Sequence, residues 1–254
     1  MPNLIYQHWN GPPTLPGAKL SSKMIRGYAA HIGSDYRFDE HKAWTRKLNV
    51  DPRWFEDIRP IYDPTFDHYD NILVLDADIY PVRGLTPNIF DEFPGCDFGM
   101  CEEPHQPAMR QHSKSRINGA NDERWAALVR TWGSTPPRDD QGRLLVFNTG
   151  LVLLSREARL RARAAFMRPA DYVAKVRAHK LPSFYTLDQN YLHAMAFMGH
   201  LEFTRISPEW NRQVHATADG STYDARTQDT KLVHIQYRGA DHWPDTKLLA
   251  IINA

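Results

Sequence analysis

The chain is poor in cysteine, with Cys96 and Cys101 alone in 254 residues. Two thiols cannot make the framework of bridges that holds small secreted domains. Two reduced thiols are therefore expected, and apolar burial must hold the core. No Cys/His spacing resembles a zinc site. Neither sign of charge dominates: 31 Lys and Arg stand against 30 Asp and Glu, so no global field points to nucleic acid or to an acidic partner. Long apolar runs are also missing, and none approaches the roughly 20 residues that a bilayer-spanning helix needs. The opening "MPNLIYQHWNGPP" has no basic stretch followed by an apolar one, so no signal peptide is expected. Repeats and low-complexity segments are absent. A cytoplasmic protein without a transmembrane segment is the expectation, with peripheral contact at the inner face of a membrane left open.

What the chain does have is an alternation of short apolar runs with helical patterns. Leu4–Trp9 reads as a strand stopped by "NGPP", Ala18–Ile32 as a helix and "DYRF" as a short strand. Ile72–Leu75 is continuously apolar, as expected of a strand buried on both faces. Asp97–Glu103 and Leu144–Leu154 read as further strands, the second broken by Asn148, Thr149 and Gly150. Arg156–Lys180 is a basic helical stretch interrupted at Pro169. Leu187–Met198 sets Leu187, Tyr191, Met195 and Met198 on one helical face. Lys231–Tyr237 reads as a late strand. The polar segment from Pro104 to Asp122 is long enough to serve as a binding loop. With no convincing linker, the alternation predicts a single α/β domain over 1–254 with a largely parallel sheet.

The chemistry centres on "NILVLDADIY", Asn71 to Tyr80. Positions i and i+2 of a strand share a face, so Asp76 and Asp78 are expected to point the same way past the apolar run. Ligands of open α/β sheets sit outside the carboxyl ends of the strands. Two adjacent carboxylates repel each other, and a divalent cation such as Mn²⁺ or Mg²⁺ relieves the repulsion. Such an ion neutralises a diphosphate and acts as a Lewis acid toward a leaving group. The plainer alternative is that Asp is a good turn former at a strand end.

"YDNILVLDADIYP" resembles the Asp-x-Asp strand of GT-A-fold glycosyltransferases. In the same order, "VFNTGLVLLSRE", "LDQNYLHA" and "LVHIQYRGADHWPDTK" resemble later segments of the retaining, family-8-like enzymes. "YAAHIGSDYRF" is similar to an early segment of related transferases. The resemblance runs from about Leu4 to Lys247. It implies a Rossmann-like fold with a mixed, mainly parallel sheet flanked by helices. It also implies a metal held by Asp76, Asp78 and His234, and a nucleotide-diphosphate sugar as donor. His234 would otherwise read as a core histidine. Gly239 and Lys247 match the family's diphosphate contacts, but they stand further from His234 than the family places them. Arg238 or His242 could substitute, since either can donate to phosphate oxygens.

The remaining candidates carry two readings each. Asn148, Thr149 and Gly150 fit a bulge, or a close backbone approach to a sugar with Asn148 on a hydroxyl. "TLDQ" from Thr186 fits a capping box in which Gln189 reaches back to Thr186. The resemblance instead puts Asp188 on the donor sugar's hydroxyls and Gln189 beneath the anomeric carbon, stabilising positive charge through its carbonyl dipole. Glu102 and Glu103 are either a solvated strand end or a contact to sugar or acceptor. Trp9 could stack on a base whose edge Gln7 or Asn10 reads, or all three serve packing and the Asn-Gly turn. "WN" at Trp210 and Asn211 resembles an acceptor-side segment too short to assign a role. The arginines of Arg156–Lys180 read as a solvated face, with anionic lipid as the alternative.

Together these residues predict a metal-dependent hexosyltransferase using a nucleotide sugar, a UDP-sugar favoured, and a glycan, lipid-linked or protein hydroxyl acceptor. Retention of configuration and a place in surface glycan synthesis are implied by the resemblance alone. A non-catalytic sugar- or nucleotide-binding module on the same fold is the alternative. A haloacid-dehalogenase-type phosphatase, with Asp76 as nucleophile, is a further one.

Overall fold

The computed structural model describes residues 2–11, 15–216, 222–223, 227–236 and 244–253. Its strands are β1 (Leu4–Trp9), β2 (Asp35–Glu40), β3 (Asn71–Leu75), β4 (Ile79–Pro81), β5 (Phe98–Glu102), β6 (Phe147–Ser155), β7 (Phe203–Ile206), β8 (Arg212–Ala216), β9 (Thr222–Tyr223) and β10 (Leu232–Ile235). Six form a large sheet in the order β2-β1-β3-β6-β5-β7, and four form a small one, β4-β10-β8-β9. In the large sheet β1 is parallel to both β2 and β3, β6 runs antiparallel between β3 and β5, and β7 is parallel to β5. The architecture is thus the expected α/β one, a mixed and mainly parallel sheet flanked by helices.

Strand periodicity builds two cores from one sheet. Ile72 and Val74 of β3 and Val152 and Leu154 of β6 enter one apolar cluster. Leu73, Leu75, Leu151 and Leu153, the alternate positions, enter another on the opposite face. Continuous apolar runs are therefore required here, because each strand is covered on both sides. The helix Pro16–His31 starts at a proline pre-set for a first turn and buries Ala18, Leu20, Ile25 and Tyr28. Leu20 joins Tyr80, Val233 and Ile235 in a third cluster against the small sheet.

Three expectations need correction. Asp76 and Asp78 are not strand residues: β3 ends at Leu75 and β4 begins at Ile79, so both carboxylates belong to the turn between the two sheets. Asn148, Thr149 and Gly150 do not break β6 but lie within it; the β5 register jumps there from Met100↔Val152 to Cys101↔Asn148, an irregularity that fits the bulge reading. The basic stretch forms helices Arg156–Ala165 and Pro169–Ala178, yet it is not uniformly a solvated face. Arg159 is fully buried. It donates to the carbonyls of Leu154 (3.2 Å), Phe66 (3.2 Å) and Tyr69 (2.6 Å). Arg163 pairs with Asp67, and Arg161 with Asp97. Cys96 and Cys101 are free and buried, as expected. Among the described residues no helix is long and apolar enough to cross a membrane.

Arg159→Met tests the inward reading of this helix. Removing the guanidinium takes a donor from each of three carbonyls, and stability should fall by about 3 kcal/mol in urea unfolding. A loss near zero would return Arg159 to the solvated face.

Candidate metal centre and cleft

The turn that carries Asp76 and Asp78 is fastened from several sides. Its backbone is tied to β6 by the Asp76 amide donating to the Gly150 carbonyl at 2.9 Å, and to β10 by the Ile235 amide donating to the Asp78 carbonyl at 3.1 Å. Gln7, fully buried, donates to the Asp76 carbonyl and to Ser21 Oγ, each at 2.9 Å. Ser21 Oγ in turn donates to the Ile79 carbonyl at 2.6 Å. Tyr36 donates to Gln7 Oε1 at 2.8 Å. Gln7 thus has all its groups engaged below the turn, which overturns the base-reading expectation for it.

Strand β10 pairs with β4 so that His234 lies opposite Ile79. Its Nε2 is 3.2 Å from Asp78 Oδ1 and 3.8 Å from Asp76 Oδ2. One ligand atom from each of the three lies within 4.8 Å of the others. The tautomer follows from a chain of amides. Asn148 Nδ2 donates to Glu103 Oε1 (2.9 Å), Asn211 Nδ2 donates to Asn148 Oδ1 (2.9 Å), and Asn211 Oδ1 faces His234 Nδ1 at 2.9 Å. With its amide nitrogen committed, Asn211 presents only an acceptor to the ring, so Nδ1 carries a proton and Nε2 is the nitrogen that faces the carboxylates, where it can bind a cation once it gives up a proton of its own. Gln236 Nε2, 3.3 Å from His234 Nε2, fits the same assignment.

The electrostatics ask for a cation. Burial pushes the Asp76 carboxyl up to about 7, and Asp78 adds to the shift. Burial alone would lower His234, but Asp78, Asp76 and Glu103 outweigh it and hold its pKa above the usual imidazole value. Two carboxylates and one imidazole, convergent and partly exposed to a cleft, suit a divalent ion such as Mn²⁺. Gly150 makes the approach of β10 feasible. A Cβ there would lie 2.5 Å from His234 Cε1 and 2.7 Å from Asn148 Oδ1. The glycine therefore makes room for an imidazole, rather than for a sugar as the sequence suggested.

A cleft of about 720 Å³ opens over this centre and reaches Trp9, Thr149, Asp188 and Gln189. Its size is that of a small-molecule site. Thr149 Oγ1 donates to Asp188 Oδ2 at 2.8 Å. The capping box does not form. The helix Asp188–Ala196 has Leu187 at its N-cap without a side-chain bond, and Thr186 donates to the Ser183 carbonyl. Gln189 Nε2 instead reaches Glu103 Oε1 at 3.3 Å. Asn148 borders the cleft, but its amide is spent on Glu103, Asn211 and the Gly150 amide.

Other candidates fall apart from the centre. Glu102, the last residue of β5, pairs with Arg205 at 3.4 Å and does not line the cleft. Trp9 and Asn10 do line it, with the Trp9 ring lying against Gly11. Asn10 is engaged at both ends of its amide, by the Pro52 carbonyl and the Ala43 amide. Lys247 lies in the helix Asp245–Ile252 with its side chain exposed, outside the cleft lining. Gly239, with Arg238 and His242, lies outside the described residues. Sequence reasoning missed the positioning role of Asn211, which "WN" flagged without a role.

Gly150→Ala should push His234 off the two carboxylates. The expected result is loss of at least about tenfold in Mn²⁺ affinity by calorimetric titration, in protein that still melts cooperatively. Unchanged affinity would remove His234 from the metal centre.

No protein-family model matches the chain, and no curated protein matches it. Among solved structures it is similar to a glycosyltransferase involved in the glycosylation of the major capsid of PBCV-1. That likeness has 13% identity and a TM-score of 0.52, covering 99% of this chain and 98% of that one. It is also similar to the galactosyltransferase LgtC in complex with donor and acceptor sugar analogs, at 12% identity and a TM-score of 0.53, covering 98% of this chain and 95% of that one. At such identities the finding concerns the fold: over nearly its whole described length, the chain has the GT-A, Rossmann-like architecture.

Proposed function

We propose that the protein is a metal-dependent glycosyltransferase. In this reading it moves a hexose from a nucleoside-diphosphate sugar, a UDP-sugar favoured, to a hydroxyl acceptor with retention of configuration. The observation that carries the reading is the convergence of Asp76, Asp78 and His234 on one point of a GT-A cleft, beside Asp188 and Gln189. A bound divalent cation supplies charge neutralisation of the diphosphate as the nucleotide leaves.

The chain's own residues do the rest. Asp76, Asp78 and His234 hold the ion. Asp188, oriented by Thr149, accepts hydrogen bonds from hydroxyls of the donor sugar. Gln189 has its amide nitrogen on Glu103, which leaves Oε1 as the end to face the reacting carbon. A neutral amide is a poor nucleophile, but its carbonyl dipole stabilises positive charge that develops there. Trp9, at the end of β1, offers an aromatic face to the base. The acceptor is a glycan, lipid-linked or protein hydroxyl that enters from the open side of the cleft.

The test is a panel of nucleotide sugars incubated with wild type and with Asp78→Asn, in Mn²⁺ and in chelator. Wild type should release nucleotide from at least one donor in Mn²⁺ only, and Asp78→Asn should reduce the rate about 100-fold or more. Folded wild type that hydrolyses or transfers from no donor overturns the reading. Donor binding without turnover, for every acceptor tried, would favour the non-catalytic module.

A further inference from the structure

Beneath the cleft lies a carboxyl that the site as described does not use. Asp57 sits in the short turn Glu56–Ile58 and is 4% exposed. Its neighbour Glu56, equally buried, is fully served: Trp44 and Thr45 donate three hydrogen bonds to it. Arg59, one turn on, is committed to Asp39 and Asp63. Asp57 receives nothing of the kind. Neither oxygen has a hydrogen-bond partner among fixed donors, and the side chain that it faces is another carboxyl, that of Asp188.

Two carboxyl groups can share a hydrogen bond only if one of them carries the proton. The surroundings decide which. Asp188 already accepts from Thr149 Oγ1 and is steadied by the amides of Asp188 and Gln189. These donors favour its charged form. Asp57 has only the Ile58 amide in its favour, while burial, Asp188 and Asp76 all push its proton affinity well above the usual carboxylate range. Asp188 itself is raised to about 6, by burial first. The other titratable groups facing the pair are Tyr191 of the same helix and Tyr172 of the helix Pro169–Ala178, both held neutral by burial. Among the described residues no cation is placed against Asp57.

We propose that Asp57, as a neutral carboxylic acid, donates a hydrogen bond to the Asp188 carboxylate from below and fixes it as the acceptor for the donor sugar's hydroxyls. Asp57 is then a positioning residue, for it acts through Asp188. The pair holds one proton and one negative charge. Thr149 fixes one side of Asp188 and Asp57 another, so the lone pairs that remain face the cleft. The sugar part of the proposal rests on the glycosyltransferase reading, whereas the shared proton does not.

Two variants separate position from fold. Asp57→Asn keeps the size and still donates N–H to Asp188; Asp57→Leu keeps bulk without a donor. In ligand-free protein at neutral pH, the infrared difference between wild type and Asp57→Asn should show a protonated-carboxyl band that is lost with Asp57, beyond the part that Asp76 contributes to both. Because the folded state holds the Asp57 proton more tightly than the unfolded chain, wild-type stability declines as pH rises from the unfolded carboxylate range through the folded titration. Asp57→Asn escapes that decline, so its melting temperature should gain on wild type as the pH rises above about 5.

With Mn²⁺, Asp57→Leu should weaken UDP-glucose or UDP-galactose binding about tenfold while leaving UDP affinity unchanged, and Asp57→Asn should restore it. Absence of the infrared band overturns the shared proton. An Asp57→Leu protein with wild-type sugar-nucleotide affinity overturns the positioning role. Wild type that binds UDP-sugars no better than UDP overturns the sugar contact, and with it the role of Asp57, whatever the infrared result. Wild type that binds no nucleotide at all counts against the glycosyltransferase reading as well.

Discussion

Everything in the cleft depends on one line of hydrogen bonds, from Gln189 through Glu103, Asn148 and Asn211 to His234. Its logic is parity. A carboxylate only accepts. Glu103 therefore draws the nitrogen ends of both Gln189 and Asn148, and each amide has its oxygen turned the other way. Asn148 Oδ1 then faces Asn211 Nδ2, Asn211 Oδ1 faces His234 Nδ1, and the ring's other nitrogen is the one left facing Asp76 and Asp78. One charge near the end of β5 thus fixes a tautomer across the cleft and the orientation of Gln189 beside it. A buried network of this kind is useful only when complete, because each unpaired member would cost about as much as a lost hydrogen bond or more.

The fold supplies the distances that this network needs. The Asp76–Asp78 turn joins the large sheet to the small one, and β10 of the small sheet brings His234 back over it. The two sheets can meet this closely because β6 carries Gly150 where any side chain would strike the imidazole. Gln7 and Ser21 brace the turn from beneath with side chains that never reach the cleft. The local cost is considerable. Asp57, Asp76 and Asp188 are all carboxyls whose surroundings resist their charge, the usual sign of a site kept against the interest of stability.

What the sequence revealed followed the kind of physics involved. The continuous apolar runs of β3 and β6 were legible, because burial on both faces leaves its mark in every residue. The helix Asp188–Ala196 was legible from its apolar face. The metal trio was named by resemblance, while the strand argument for Asp76 and Asp78 failed: a turn, not a shared face, makes them converge. The capping box at Thr186 was a sound local rule that lost to a tertiary partner, since Glu103, just past the end of β5, lies 86 residues away in sequence. Arg159 looked solvated for the same reason, its carbonyl partners Phe66 and Tyr69 lying about 90 residues earlier in the chain. Asp57 had no signature at all, because a buried acid among surface-type residues is visible only once its neighbours are in place.

The charge around the cleft bears on how an anionic donor could enter. Asp76, Asp78 and Asp188 line it, and Glu103 lies just behind. Arg53 is the only Arg or Lys among the described lining residues, and it is already paired with Asp51 at 2.5 Å. A diphosphate brought to such a surface meets like charge with little to offset it. Hydrogen-bond donors alone do not reverse that field at short range, since interactions between close charges outweigh those with neutral dipoles. On the proposed reading the cation is therefore needed for the donor to bind at all, before any question of leaving-group chemistry. The three residues of the metal centre then serve recognition first. The Asp57–Asp188 pair, by holding a proton between two acids, keeps one more negative charge from being added where the phosphates must come close.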